Sequence, residues 1–145
     1  MIHRIYIASN FSNPHYPAIL AALRDAVHVC FDFRSNENIS LFGTDGGYVD
    51  PDWSSIKFPK EIRNFIVHDS KAVRCYTRDR IALEWCYACV AVCPAGISCR
   101  LEVAYAAGMN KQTVIYLGDG VDRGELMWRL ADDIVTPRSQ SCWSY

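Results

Sequence analysis

The sequence predicts an α/β domain built on a mostly parallel sheet with helices on both faces, and three observations lead there. Short apolar and β-branched runs recur at residues 5–8, 27–33, 87–93, 113–117 and 134–136. Segments with helical spacing lie between most of them. The connections are mostly short and carry turn residues, with no internal repeat and no low-complexity tract. A chain of 145 residues, 50% of them hydrophobic, has enough for one real core and little room for a second. Residues 1–136 therefore read as one domain and 137–145 as a loose C-terminal tail.

Each element has a local reason. The run Ile5-Tyr6-Ile7-Ala8 ends in Ser9-Asn10-Phe11-Ser12-Asn13-Pro14, a buried strand followed by a polar loop suited to face a ligand. Ile19, Leu20, Leu23 and Ala26 then fall at helical spacing, with Pro17 tolerated in the first turn. β-Branched and aromatic residues at 27–33 mark a second strand. From 34 to 59 the chain turns to Asn, Ser, Gly, Asp and Pro, with Gly46-Gly47 and Asp50-Pro51 as turn markers. An irregular stretch of that length is usually functional or mobile. Its aromatics Phe42, Tyr48, Trp53 and Phe58 fit a lid packed on the domain's own surface as well as they fit ligand contact.

Residues 60–68 and 72–85 read as helices, the second turning Val73, Tyr76, Ile81, Leu83 and Trp85 inward. Residues 87–93 give the clearest strand. The loop Pro94-Ala95-Gly96-Ile97-Ser98 follows, then a helix over 100–107 that Gly108 ends. After the strand at 113–117 and the turn Gly118-Asp119-Gly120, the spacing of Asp122 and Glu125 suggests a capping box opening a helix through Leu130. Strands and helices in this alternation give a doubly wound, Rossmann- or flavodoxin-like sheet.

Composition excludes several classes of function. Net charge is −1 and Lys and Arg are scattered, whereas a polymer of nucleic acid needs a clustered basic face. A nucleotide monomer stays open. Ser9, Asn10 and Pro14 come too early for a signal-peptide apolar region, and the apolar stretch near 88–95 is too short to span a bilayer. The chain reads as cytoplasmic, with no membrane partner.

Its seven cysteines then read as reduced thiols serving as small apolar residues. Cys86-x2-Cys89-x3-Cys93-Pro94 has the look of an iron–sulfur ligand run. A strand there would aim Cys89 and Cys93 at one face and Cys86 at the other, whereas cluster ligands converge from loops. No metal and no cofactor are expected.

Ligands of such sheets bind outside the carboxyl ends of the strands. Three loops qualify: residues 9–13, residues 94–98, and the turn after Leu117. The middle one is the most informative. Ser98 has the character of an N-cap, and the first helical turn beyond it would hold Arg100 and Glu102. Free N–H groups and the helix dipole favour an anion there, either a bound phosphate or the Glu102 carboxylate itself. An ionised carboxylate at the mouth of a pocket suits a nucleophile for a sugar carbon. From spacing alone, ordinary dipole duty for an acid at a helix start is the favoured reading.

A longer pattern changes that balance. The run Asp79-x3-Leu83-x-Trp85-Cys86-x-Ala88-Cys89-Val90-x-Val92-x-Pro94-x-Gly96-x-Ser98-x2-Leu101-Glu102-x2-Tyr105-Ala106-Ala107-Gly108 resembles the core of nucleoside 2-deoxyribosyltransferase-like proteins. Ile5-Tyr6-Ile7-Ala8-Ser9, Asp32-Phe33-Arg34 and Glu125-Leu126-Met127-x3-Leu130-Ala131-Asp132 extend the resemblance over most of the chain.

It implies that Glu102 attacks the anomeric carbon of a nucleoside or nucleotide, expelling the base and leaving a glycosyl ester. It also implies that Asp79 contacts and helps protonate the base. Without the resemblance, Asp79 reads as a surface acid within Arg78-Asp79-Arg80. Tyr6, Ser9, Asn10 and Phe11 would line sugar and base beside Gly96, while Ser98 and Arg100 would hold a 5′-hydroxyl or phosphate. Arg100 reads equally as a solvated helix residue. Departures from the family pattern fall at Phe11, Ser12, Tyr87, Ala104 and Asn110.

Water resolving the ester would make an N-glycosidase, and a second base would make a transferase. Two other readings keep the fold: an NAD glycohydrolase of the Toll/interleukin-receptor-like type, and a non-catalytic module that binds a nucleotide or nucleotide-derived signal. The resemblance also implies a homodimer or higher homo-oligomer, with Met127, Trp128, Trp143 and Tyr145 as contact candidates. Met127 and Trp128 fit ordinary core equally well.

Overall fold

β1 (Arg4–Ala8), β2 (Val29–Phe31), β3 (Ala88–Cys93), β4 (Gln112–Leu117) and β5 (Asp133–Val135) form one parallel sheet in the order β2-β1-β3-β4-β5. The computed structural model describes residues 1–35 and 56–137, so the expectations for Phe42, Tyr48, Trp53, Trp143 and Tyr145 lie outside the described residues. The predicted α/β architecture is present, with strand bounds within a residue or two of those read from the sequence. Ile7, Ala8, Cys89 and Val92 are fully buried, as the inner strands of a parallel sheet require.

The strand order fixes where the helices go. α1 (Tyr16–Asp25) connects β1 to β2 on one side, while α4 (Ile97–Gly108) connects β3 to β4 on the other. Crossovers of the usual right hand then put the two helices on opposite faces of the sheet. The chain reverses direction across the sheet between β1 and β3. The carboxyl ends of those two strands are the place where a doubly wound sheet opens a crevice.

The chain divides into two compact units, one of Met1–Phe31 with Leu83–Tyr145 and one of Asp32–Ala82. The first holds the sheet, α1 and α4. The second holds α2 (Pro59–His68) and most of α3 (Ser70–Trp85). Glu61 accepts the backbone N–H of Phe58 at 3.3 Å, which closes the start of α2. Along α3, Leu83 is buried as expected, but Val73, Tyr76 and Ile81 are exposed. The inward positions are Arg78 and Ala82, one turn apart. A buried arginine is tolerated because Nη2 donates to the Phe33 carbonyl at 3.1 Å and to Asp79 at 3.0 Å.

A second correction concerns residues 122–130. No capping box forms, and in place of an α-helix a single 3₁₀ turn spans Leu126–Leu130. Glu125 does not cap, because its carboxylate accepts Arg100 Nη1 at 3.1 Å. Leu126, Met127 and Leu130 are exposed, so no inward apolar stripe drives a longer helix. β5 is held by the Thr113–Asp132 pair, where Asp132 Oδ2 accepts the Thr113 backbone N–H at 2.7 Å. Among the described residues no helix is long and apolar enough to cross a membrane.

Candidate functional site

Three loops meet at the carboxyl edge of the sheet, and side chains of the β1–α1 loop tie them together. Asn13, 4% exposed, donates its amide to the carbonyls of Val92 at 2.8 Å and Pro94 at 2.9 Å. Its own oxygen accepts the His15 N–H at 2.8 Å, so all of its polar atoms are engaged. Ser9 Oγ donates to Val92 O at 2.8 Å. Asn10 Oδ1 accepts the Gly96 N–H at 2.6 Å, and a Cβ on Gly96 would sit 2.9 Å from that oxygen. His15 Nε2 donates to Asp119 O at 2.8 Å and joins the third loop, an assignment required because the carbonyl only accepts.

The helix behind the middle loop begins earlier than the sequence suggested. Gly96 is the N-cap of α4, and Ser98 lies inside the first turn rather than capping it. Helix entry is set by Asn10 from another loop taking the cap residue's N–H. Glu102 consequently sits in the second turn, not the first, and the first turn holds no acid. The helix dipole, strongest over the first turn, has less hold on it there.

What holds Glu102 is the sheet. Tyr6 Oη donates to Glu102 Oε1 at 2.9 Å. Tyr6 is 1% exposed and stacks on Phe31, its partner across β1 and β2, with ring centroids 5.2 Å apart. The hydroxyl is therefore rigidly presented to the half-buried carboxylate. Cys89 and Cys99 lie close enough to feel its charge. Burial pushes both thiols up, and the neighbouring Cys86 and Cys99 at Cys89, and Glu102 at both, push in the same direction. Both sulfurs therefore favour the protonated thiol.

The other expected residues divide. Ser9, Asn10 and Gly96 share the edge described above, although Ser9 and Asn10 spend polar atoms on loop contacts. Phe11 is 47% exposed and Ser98 is also exposed. Arg100 points to the flank of α4 away from Tyr6 and pairs with Glu125. Asp79 belongs to the Asp32–Ala82 unit, where Oδ1 accepts Arg78 Nε at 3.1 Å and Nη2 at 3.0 Å. Burial pushes its carboxyl above the ordinary value, and Arg78 pulls it down by less.

Asn13 and His15 escaped the sequence reading as individuals. Their signal was present in Asn13-Pro14-His15, a polar triplet between a strand and a helix, but polar loop residues usually cap their own turn. Cys86 was misassigned: it precedes β3, and its thiol donates to Leu83 O at 3.1 Å. Among the described residues no group of three or more His, Cys, Asp or Glu is arranged to hold a metal ion.

A reversal point between two parallel strands, with a carboxylate held beside it by a buried tyrosine, marks a doubly wound α/β domain. More particularly, the fold is 2-deoxyribosyltransferase-like. The chain is similar in structure to a 2-deoxyribosyltransferase from the psychrotolerant bacterium Bacillus psychrosaccharolyticus, with TM-score 0.55 and 15% identity over 86% of this chain and 78% of that one. It is also similar to a CMP N-glycosidase of Clostridium botulinum, with TM-score 0.52 and 12% identity over 92% of this chain and 88% of that one. No protein-family profile matches the sequence, and no curated protein matches it.

Proposed function

We propose that this protein cleaves or transfers at the N-glycosidic bond of a (deoxy)nucleoside or nucleotide through a covalent glycosyl–Glu102 intermediate. The observation that carries the reading is the 2.9 Å hydrogen bond from buried Tyr6 to Glu102 at the edge where the sheet reverses. The fold it shares with a 2-deoxyribosyltransferase and a CMP N-glycosidase supports the same chemistry.

In this reading a Glu102 oxygen forms a bond to the anomeric carbon as the bond to the base nitrogen breaks, and that electron pair leaves with the base. Positive charge grows on the sugar in between, and the carboxylate stabilises it before bonding to it. The departing base needs a proton. Asp79, whose carboxyl is pushed up by burial, has the chemistry for that role, which the family resemblance assigns to it. Water or a second base then displaces Glu102 from the sugar and regenerates the carboxylate. A cytoplasmic setting and a homo-oligomeric state belong to the same proposal.

The test is incubation with a panel of nucleosides, deoxynucleosides, their monophosphates and NAD, following free base by chromatography. The expected outcome is base release from at least one nucleoside or nucleotide, lowered on the order of a thousandfold in Glu102→Ala. Undiminished release in the variant would remove the mechanism. Nicotinamide release from NAD alone would move the assignment to an NAD glycohydrolase, and tight binding without turnover to a binding module.

A further inference from the structure

The other flank of α4 closes a separate concavity. Successive residues of a helix are about 100° apart, so Glu102 and the Arg100/Ala104 pair lie on opposite sides of the buried stripe Cys99, Val103 and Ala106. On the Arg100 side, α4 faces the 3₁₀ turn Leu126–Leu130 across a cavity of about 140 Å³ floored by Ala91, Cys93 and Ile115. Small side chains leave the space open: Ala91, Ala95, Ala104 and Ala131 all line it. The charged groups at the cavity are Arg100 and Glu125, which neutralise each other at 3.1 Å.

We propose that this cavity binds a small, uncharged, single-ring aromatic molecule between α4 and the 3₁₀ turn. Size is the first argument. An apolar cavity of about 150 Å³ accepts benzene, and this one, with Met127 and Leu130 of its lining exposed, has about the same volume. The lining is the second. Its inner walls are alanine, valine, isoleucine, cysteine and an indole, and its two charged groups are already paired with each other. An aromatic ring suits them better than an aliphatic chain of equal size. Trp128 offers a ring to stack on or meet edge-on, and the sulfurs of Cys93, Cys99 and Met127 make favourable contacts at a ring edge. One wall is the helix that carries Glu102, so the ring would brace that helix from behind.

Fluorobenzene titrated into the full chain, followed by ¹⁹F NMR and by thermal unfolding, tests this. One saturable site that raises the Tm is expected. Ala91→Leu and Ala131→Leu fill the cavity from its floor and from the 3₁₀ end, and each should weaken binding at least tenfold. Where Ala91→Leu fails to fold, Ala131→Leu decides. Glu102→Gln should bind the probe as the native chain does, which separates this site from the proposed sugar site. Absence of saturable binding, unchanged affinity in a folded cavity-filling variant, or loss of binding in Glu102→Gln would each overturn the proposal.

Discussion

Asp79 carries two opposed influences, and their balance has a measurable sign. Burial raises its carboxyl, while the Arg78 guanidinium 3.0 Å away lowers it, and burial wins. The folded chain therefore holds that proton more tightly than the unfolded chain does. The resulting stabilisation is present below the ordinary value of 3.8 and is lost as pH rises through the elevated value. Carboxyl ¹³C NMR should give Asp79 a midpoint above 3.8, moving further up in Arg78→Met because both lowering influences come from Arg78. A native midpoint at or below 3.8, or a downward move in the variant, would contradict the assignment. Little of this was legible beforehand. Arg78-Asp79-Arg80 reads as a solvated triplet, since nothing local announces that Phe33 supplies a carbonyl to Arg78. Glu102 stood out only through a long-range pattern, because a lone acid near a helix start is common.

At the level of elements, the turn after β4 packs tightly against the loop after β1 and the end of β3. A Cβ on Gly118 would meet the His15 ring and come within 2.8 Å of the Cys93 carbonyl, a backbone atom that cannot swing aside. Gly118→Ala should cost about 1–3 kcal/mol and lower the Tm. Gly124→Ala, with nothing within 4 Å, should change it little. Equal stability of the two variants would sink the idea that His15 and Cys93 clamp this turn.

The strands themselves were legible because inner parallel strands are buried on both faces and read as unbroken apolar runs, as Ala88–Cys93 does. Two helical features were not. The inward stripe of α3 includes Arg78, which an apolar periodicity passes over. The expected helix after Glu125 gave way to a 3₁₀ turn because its capping acid pairs with Arg100 from a distant segment. Both failures have one cause, a side chain whose partner lies far along the chain.

At the scale of the molecule, the strand order matters most. β2-β1-β3-β4-β5 sets the reversal between β1 and β3, which brings Tyr6 from one strand to Glu102 on the helix that follows the other. The thiols of Cys89 and Cys99 beside that carboxylate are pushed up by burial, and the proposed mechanism assigns the nucleophile to Glu102. The most direct measurement is intact-protein mass spectrometry after incubation with 2′-fluoro-2′-deoxynucleosides and their monophosphates. Fluorine withdraws electrons from the charge-bearing sugar and slows the second displacement, so the ester persists. The account predicts a glycosyl adduct on the peptide containing Glu102, and none in Glu102→Gln. An adduct on a different residue, or base release by Glu102→Gln at the native rate, would contradict it.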